Sequence, residues 1–318
     1  MSDPLSDVVA LLQPNATFSK MVSASGPWRV RREESGQPFY CLVLAGSCLL
    51  QVDGHAPVTL QADDFVLIPA AHGFSNGSVE PLPTDAPATV PIATGDGKFR
   101  IGPETDQPDA VMLIGHCQLG SPDAALLVSL LPQLIHVRAE KRLATLVQLV
   151  GEESRQDRAA REVILARLLE VLFIEALRAT PTAMQPGLVS GLADARLGAA
   201  LRAMHQHPAQ AWTVAQLAKV AALSRSTFFE RFSRAVGVAP MEYLLSWRMA
   251  LAKDLLRKHT LAIAEVAERV GYSSASTFSV AFARHVGLPP MRFARGQPAR
   301  GTPADVAEWD ATLPLTTH

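Results

Sequence analysis

The sequence predicts an α+β protein: an N-terminal β-barrel or β-sandwich, a helical segment after it, and an all-α C-terminal domain. Three observations support this prediction. Short runs rich in Val, Leu and aromatic residues, separated by turn residues, occupy residues 28–69. Apolar residues then recur with a helical period over residues 122–180. A segment that begins at Val214 is repeated about fifty residues later, which is typical of a duplicated supersecondary unit.

The composition is that of a globular chain whose 318 residues are enough for two domains. The opening stretch MSDPLSDVVALL lacks the basic residues of an export signal, and its apolar spacing predicts a short amphipathic helix. No run approaches the ~20 apolar residues of a membrane span. The three cysteines form no CxxC motif and fit a reducing cytoplasm.

The N-terminal texture predicts five strands, followed by a long loop and a sixth strand. The five runs are WRVRR, FYCLVL, CLLQVDG, VTL and FVLIP. A proline-rich stretch over residues 75–109 is expected to be either a lid or poorly ordered. The run AVMLIGHCQL, from Ala110, then returns to strand. Strands of this length and spacing favour a sandwich or a barrel.

The helical segment contains REVILARLLEVLFIEALRA, which is apolar around more than half of its circumference. Such a helix covers the barrel on one side and a second surface on the other. We expect that second surface to be another subunit, bound through Arg161–Arg178; the alternative is that the helical bundle packs on itself. Glutamates at Leu168 and Leu172 are expected to break the dimer. The stretch ATPTAMQPG that follows is the natural linker.

The repeat pairs VAQLAKVAALSRSTF with IAEVAERVGYSSASTF. The offset between matching residues changes from 49 to 50 inside the turn, so one residue has been added where an insertion is tolerated. Each copy predicts two helices around a tight turn. Thr213 and Gln216 form a capping-box pattern before the first helix, and Ser224 or Ser274 caps the second. This is a helix-turn-helix arrangement, whose second helix enters a DNA major groove.

A further helix joins the two copies. It begins near Pro240 in PMEYLLSWRMALAKDLLRKH, and about 17 residues of helix are roughly 26 Å long. A rod of that length is expected to hold two recognition helices near one DNA turn apart, about 34 Å. The charge agrees with a polyanion as partner. Residues 190–300 hold 15 basic and 6 acidic residues, whereas residues 1–189 hold 14 basic and 21 acidic ones.

The repeat region resembles the DNA-binding domain of the AraC/XylS-type bacterial transcription regulators. The likeness runs from about Leu192 to Arg295, and WTVAQLAKVAALSRSTFFERF and GVAPMEYLLSWRMALAKDLL carry it together with the second copy. It implies binding to double-stranded promoter DNA, with RNA polymerase as a further partner. It also implies base contacts from Ser226, Phe229, Glu230, Ser276, Ser279 and Val280.

This sequence departs from the family pattern at Glu230 and Val280, where arginine is common. Glutamate can accept from cytosine N4 but cannot make the bidentate contact of arginine with guanine. The second helix therefore lacks a strong base-reading side chain and is expected to anchor mainly to phosphate. The candidate phosphate ligands are Arg225, Arg231, Arg234 and Arg284; each could instead be a solvated surface charge.

Residues from about Trp28 to Leu119 resemble a cupin barrel, through AGSCLLQVDG and TLQADDFVLIPAAHGF. The resemblance implies a pocket for a small-molecule effector. Candidate pocket residues are Trp28, Tyr40, His72 and His116, with core packing, or solvent contact for His72, as the alternative. A metal-dependent cupin enzyme with a similar DNA-binding module is the other functional class. It would need two early histidines that FYCLVLAGS lacks, so no metal and no cofactor is expected.

These inferences define a predicted organisation in five parts. A cupin-like effector domain spans residues 1–120, a helical dimerisation segment 121–180, a linker 181–191, a DNA-binding domain with two helix-turn-helix units 192–296, and a tail 297–318. The predicted protein is a cytoplasmic, homodimeric transcription regulator without catalytic residues. The effector, the promoters and the direction of regulation stay open at this point.

Overall fold

The computed structural model describes residues 3–80, 82–83, 86–95, 97–121, 124–156, 158–180, 186–258 and 260–296. The chain forms two compact units, residues 1–250 and 251–318, and each is described by itself. The predicted tail and the first five residues of the predicted linker lie outside the described residues. The predicted domain boundaries therefore remain predictions.

A curled, barrel-like sheet forms the N-terminal part, as the sequence predicts. Its path of strands among the described residues is β5-β6-β1-β7-β2-β4-β8, and β3 pairs with β2 beside this path. The strands are β1 Pro14–Ala24, β2 Arg29–Val52, β3 Val58–Gln61, β4 Asp64–Gly77, β5 Ile92–Gly95, β6 Lys98–Ile101, β7 Ala110–Leu119 and β8 Ile135–Arg138.

The curl comes from β2, which pairs twice with the same end of β4. Arg29 and Leu49 both lie opposite Gly77 in antiparallel register. The three runs predicted as separate strands over residues 28–54 are thus largely one long strand. The predicted turns are bends within it, at Gly36 and Gly46, whose φ angles are 81° and 73°. Glycine takes up this backbone conformation without ending the strand pairing.

The prediction missed several strands. β1 carries few large apolar residues in PNATFSKMVSA, yet it pairs along its length with β7. β8 lies inside the segment predicted to be wholly helical, where it pairs with β4. The segment predicted as one long loop holds the hairpin of β5 and β6. β1 and β8 are fixed by distant partners rather than by their own patterns, whereas β5 pairs with the neighbouring β6.

The core of the sheet lies on its concave face. Side chains alternate along each strand, so every second residue points inward. Trp28, Phe39 and Phe74 are each 1% exposed and pack together with aliphatic residues of β4 and β7. Burial of each such aromatic side chain stabilises the fold by roughly 1.5–3 kcal/mol.

Helices surround this sheet and form the rest of the chain. Asp3 caps the predicted amphipathic helix α1, which buries its predicted apolar face. The predicted connecting helix is α9, which begins at Pro240 and crosses from the first compact unit into the second. None of the helices that the structure describes is long and apolar enough to cross a membrane. The helices are α1 Pro4–Leu12, α2 Ala124–Ser129, α3 Lys141–Arg155, α4 Arg161–Ala179, α5 Leu188–Ala193, α6 Ala195–Gln206, α7 Val214–Val220, α8 Arg225–Val236, α9 Pro240–Arg257, α10 Ile263–Arg269, α11 Ala275–Val286 and α12 Pro290–Ala294.

The exposed face of α4 differs from the one that the sequence suggested. Leu172 is fully buried, so it cannot contribute to an accessible dimer surface, and a glutamate there would disrupt the core. Leu168 is half-buried. The accessible apolar residues of α4 are Val163, Ile164 and Val171, which are 63%, 41% and 42% exposed.

A buried position of α4 and an exposed valine outside α4 provide a test of this orientation. Leu172→Ala is expected to lower the free energy of unfolding by about 2–5 kcal/mol, because it removes buried methyl groups and leaves a cavity. Val90→Ala, at a position that is 77% exposed, is the control and is expected to change the same quantity by no more than ~0.5 kcal/mol. Urea unfolding followed by circular dichroism measures both. Equal effects of the two substitutions would contradict the orientation of α4.

Candidate nucleic-acid interface and cavities

The first helix-turn-helix unit is built from α7, a turn and α8. Thr213 and Gln216 form the predicted capping box: Thr213 Oγ1 accepts from the Gln216 N–H at 3.2 Å, and Gln216 Oε1 accepts from the Thr213 N–H at 2.8 Å. The turn places Ala222 in the left-handed region, at φ 51°. Ser224 then caps α8 by accepting from the Thr227 N–H at 3.2 Å. Four residues thus connect α7 to α8.

The second unit repeats this construction with α10 and α11. The left-handed position is Gly271, at φ 83°. In both units the next residue donates its N–H to the carbonyl of an alanine five residues before it, at 2.9 Å (Leu223 to Ala218, Tyr272 to Ala267). The added residue of the second copy therefore follows this hydrogen bond. Ser274 caps α11 in the same way as Ser224 caps α8.

Each recognition helix is held by an aromatic stripe on its inner face. Phe228 and Phe232 of α8 are fully buried, with ring centroids 5.5 Å apart. Phe278 and Phe282 of α11 repeat this arrangement at 5.4 Å. Since one face of each helix is fixed in a core, the opposite face is turned to solvent.

On α8, the outer face presents the residues that the resemblance assigns to base contacts. Ser226 and Glu230 are exposed, and the large Phe229 ring is 45% exposed. The hydroxyl of Ser226 lies 3.2 Å from that of Ser224, so it is partly occupied within the helix start. Glu230 is the one long polar side chain among these three.

On α11, the corresponding face offers less hydrogen-bonding capacity. Val280 is 71% exposed. Ser279 donates its hydroxyl to the Ala275 carbonyl one turn back, at 2.7 Å. Ser276 is exposed, and its hydroxyl lies 3.0 Å from that of Ser274. The side chains of this face are therefore short, apolar or locally bonded.

The four arginines proposed as phosphate ligands do not have equal surroundings. Arg225, Arg234 and Arg284 are exposed at or near the recognition helices. Arg231 instead binds Asp194, the cap of α6, at 2.6 Å. Burial opposes the change, yet the backbone N–H groups of α6 and the Arg231 guanidinium lower the pKa of Asp194. Arg231 therefore ties α8 to α6, a tertiary contact that no local pattern in the sequence indicates.

The described residues place the four candidate pocket residues in different surroundings. Trp28 lines a cavity of about 20 Å³ on the concave face of the sheet, and His72 lines a second cavity of about 670 Å³. Tyr40 and His116 lie at neither cavity among the lining residues described. His116 is buried beside the Phe39 ring, with centroids 5.2 Å apart.

Tyr40 points to the other side of β2 from Phe39 and His116. Its ring fills the space above Gly115, where a Cβ atom would lie 2.2 Å from it. Burial raises the pKa of Tyr40. The four residues predicted from sequence thus do not form one pocket. Among the described residues, no group of three or more His, Cys, Asp or Glu side chains could hold a metal ion.

A buried polar contact between α1 and the helices around the first unit also escaped the sequence analysis. His205 of α6 lies between Asp7, at 3.1 Å, and the Tyr243 hydroxyl, at 2.7 Å, and it stacks on Trp247 with centroids 3.9 Å apart. Burial lowers the pKa of His205, against the opposing effect of Asp7. The two partners Asp7 and His205 are 198 residues apart in the chain, so local spacing gives no indication of them.

Comparison with known proteins finds two family models. A cupin model matches residues 3–181, and a helix-turn-helix domain model matches residues 217–296. A putative AraC-like transcription regulator from Streptomyces lividans is 36% identical over 299 residues, covering 91% of this chain and 96% of the relative. A second one, from Streptomyces antibioticus, is also 36% identical and covers 87% and 93%.

Among solved structures, ToxT from Vibrio cholerae with a bound unsaturated fatty acid is 13% identical, with a TM-score of 0.36, over 88% of this chain and 94% of its own. The DNA-binding domain of AdpA in complex with target DNA is 30% identical, with a TM-score of 0.30, over 32% of this chain and 95% of its own. Because both TM-scores are low, the family assignment rests on the sequence relatives and the domain models instead.

The buried His116 generates a prediction about pH. Burial and the nearby cations Arg32 and Lys20 lower its pKa to about 4 in the folded protein, whereas an unfolded chain has a histidine pKa of about 6.5. Below pH 6.5 the unfolded state binds a proton that the folded state does not, so stability falls as the pH falls. From pH 7.5 to 5, His116 is expected to reduce the free energy of unfolding by about 2 kcal/mol.

Urea unfolding of the wild type and His116→Gln at the two pH values measures this contribution as the difference between their losses. His207→Gln, which replaces an exposed histidine, is the control. An unchanged loss in His116→Gln would refute the assignment.

Proposed function

The chain belongs to the AraC-like family of transcription regulators, and from this premise we propose that it binds promoter DNA with α8 as its main base-reading element. Like these relatives, it is a transcription regulator and not an enzyme. The observation that carries the proposal is the outer face of α8. There Glu230 and Phe229 are exposed side by side, while Phe228 and Phe232 fix the opposite face.

The two recognition helices have different roles in this proposal. Glu230 accepts a hydrogen bond from cytosine N4, and Phe229 makes apolar contact with a thymine methyl group. Ser226 adds a short-range polar contact. On α11, Ser276, Ser279 and Val280 follow the DNA surface with little base discrimination. The proposed phosphate ligands are Arg225, Arg234 and Arg284, and Arg231 contributes once its ion pair with Asp194 is exchanged for phosphate.

The regulator is proposed to act in the cytoplasm, where promoter DNA and RNA polymerase are its macromolecular partners. A small molecule bound by the N-terminal domain is proposed to control it. Of the four residues expected from the sequence to contact it, Trp28, Tyr40, His72 and His116, only Trp28 and His72 line a described cavity, and these two cavities are different. No metal or cofactor is required for this activity.

Glu230→Ala is expected to relax base preference within one half of the DNA site, because a good base contact contributes about 1–3 kcal/mol of discrimination. Val280→Ala, the counterpart on α11, is expected to leave the preferred sequence unchanged. Selection from randomised DNA sites with the full-length variants measures both effects. A changed preference in Val280→Ala together with an unchanged one in Glu230→Ala would overturn the assignment to α8.

Arg284→Ala is expected to weaken binding to all DNA sequences alike. Loss of one phosphate contact also reduces the slope of log K against log salt concentration by about one. Binding titrations at several salt concentrations give this slope. An affinity of the wild type that does not change with salt would contradict the whole proposal.

We also propose that the protein is a homodimer through α4. Ile164, Leu168 and Val171 are spaced by four and three residues and so lie on one helix face. Val163 adds a further exposed apolar side chain. Exposed apolar residues in a continuous row on one helix are typical of a protein–protein contact.

The double substitution Ile164→Glu and Val171→Glu is expected to convert the dimer into monomers at micromolar concentration, because it places unpaired carboxylates in an apolar contact. Analytical ultracentrifugation distinguishes the two states. Val79→Glu with Val90→Glu is the control, since both residues are exposed valines outside α4. A monomeric wild type, or a double variant that remains dimeric, would show that α4 is not the interface.

A further inference from the structure

The larger of the two cavities has the size of a small-molecule site. Its volume is about 670 Å³, within the ~300–1,000 Å³ usual for ligand pockets. It lies where β2, β4 and the end of β7 meet α2 and the chain after it. Ile68 and Val52 of the sheet face Val128 and Leu131 from the α2 side. Much of its wall is thus apolar.

The smaller cavity does not compete for this role. Its volume of about 20 Å³ suffices for roughly one water molecule. Its lining includes the cations Lys20 and Arg32, which have interactions of their own. A ligand of several carbon atoms therefore finds space at the larger cavity.

The polar lining of the larger cavity includes one carboxylate, and this carboxylate is already paired. Asp53 is the single carboxylate among the lining residues described, and Arg31 binds both its oxygens at 2.7 Å. Gly73 makes room for this pair, since a Cβ atom there would lie 2.1 Å from Asp53 Oδ2. No lysine or arginine is among the lining residues described. The cavity therefore provides no cation for an anionic ligand.

His72 is a solvent-exposed lining side chain with hydrogen-bonding capacity to spare. Its ring packs on Gly36, where a Cβ atom would lie 3.0 Å from His72 Cε1, so the ring has a supporting surface. It forms no hydrogen bond or ion pair with the residues that the structure describes. In contrast, His55 Nε2 is already bonded to Gln133 Oε1 at 3.0 Å.

Backbone hydrogen bonds link the wall of this cavity to the start of α5, and the start of α5 to the last turn of α8. Leu131 lines the cavity, and the carbonyl of its neighbour Leu130 accepts from the Leu188 N–H at 2.7 Å. The adjacent Gly187 donates its N–H to the Ala235 carbonyl, in the last turn of α8, at 2.9 Å. A Cβ atom on Gly187 would lie 2.9 Å from the Leu130 oxygen, so the segments are in close contact. Two backbone hydrogen bonds thus connect the cavity wall beside Leu131 with α8.

We propose that this cavity is the effector site, that it takes a neutral amphipathic molecule with an apolar body and one hydroxyl or carbonyl group bonded to His72, and that its occupation alters DNA binding by α8. This inference rests on the proposed function, because it requires a DNA-binding regulator under effector control. It differs from the pocket expected from sequence, since it includes neither Trp28, Tyr40 nor His116.

The test uses the full-length protein and two matched pairs of probes, 1-octanol with octanoate and benzyl alcohol with benzoate. Isothermal titration is expected to show binding of the alcohols, with the carboxylates about tenfold weaker or more, because a carboxylate would lose hydration beside Asp53 without gaining a lysine or arginine among the described lining residues. Ala70→Trp fills the cavity and is expected to abolish alcohol binding. Ala93→Trp, at an exposed position of β5, is the matched control and should bind like the wild type.

Two further measurements test His72 and the link to α8. His72→Phe keeps the ring but removes its nitrogens, and it is expected to weaken octanol binding about fivefold. Octanol is expected to change the affinity of the wild type for selected DNA about fivefold or more, and to leave that of Ala70→Trp unchanged. The same comparison with Ala93→Trp should reproduce the wild-type response.

Absence of alcohol binding, tighter binding of the carboxylates, or unaltered binding in Ala70→Trp would each overturn the inference. In those cases DNA binding by the wild type would still support the proposed function. If the wild type bound no DNA sequence preferentially, the proposed function itself would fail, whatever the result of the octanol titration.

Discussion

The outer faces of α8 and α11 depend on one constraint: each of these helices must bury its aromatic stripe. Phe228 and Phe232 in α8, and Phe278 and Phe282 in α11, are fully buried. Each contributes roughly 1.5–3 kcal/mol through burial, so rotation of either helix about its axis would expose several such side chains at once. The outer residues are therefore held in place by side chains that never meet DNA. Local caps at Ser224 and Ser274 then fix where each helix begins.

The parts of the fold that could be predicted are those whose cause is local. The capping box at Thr213, the serine caps and the helical spacing of the phenylalanines are all contained within a few residues. Two of the strands that were missed, β1 and β8, depend on distant partners: Met21 pairs with Leu113, and Asp64 pairs with Arg138. The bends of β2 at Gly36 and Gly46 resemble turns in the sequence, because glycine serves equally well in both.

The same distinction applies to the candidate sites. Helical periodicity placed Phe228 and Phe278 on the buried faces, and the family resemblance assigned Glu230 and Val280 to the opposite faces. Neither could indicate that Arg231 is bound by Asp194, or that His205 is enclosed by Asp7 and Tyr243, because these contacts arise only when separate helices pack. Strand alternation explains why the expected pocket residues separate. Tyr40 and Phe39 are neighbours in sequence but point to opposite sides of the sheet.

The left-handed residue in each turn affects the free energy of local opening of that helix-turn-helix unit. Ala222 adopts φ 51° and Gly271 adopts φ 83°. A side chain in this conformation costs about 1–2 kcal/mol, whereas glycine adopts it freely. The hydrogen bond that closes each turn has the same length, 2.9 Å, so the two turns differ at this point in the residue that adopts the left-handed conformation. Local opening releases this strain, and the first turn therefore opens at a lower free energy than the second. Duplicated sequence has produced two units of unequal local rigidity, and the softer one carries the helix with the more polar outer face.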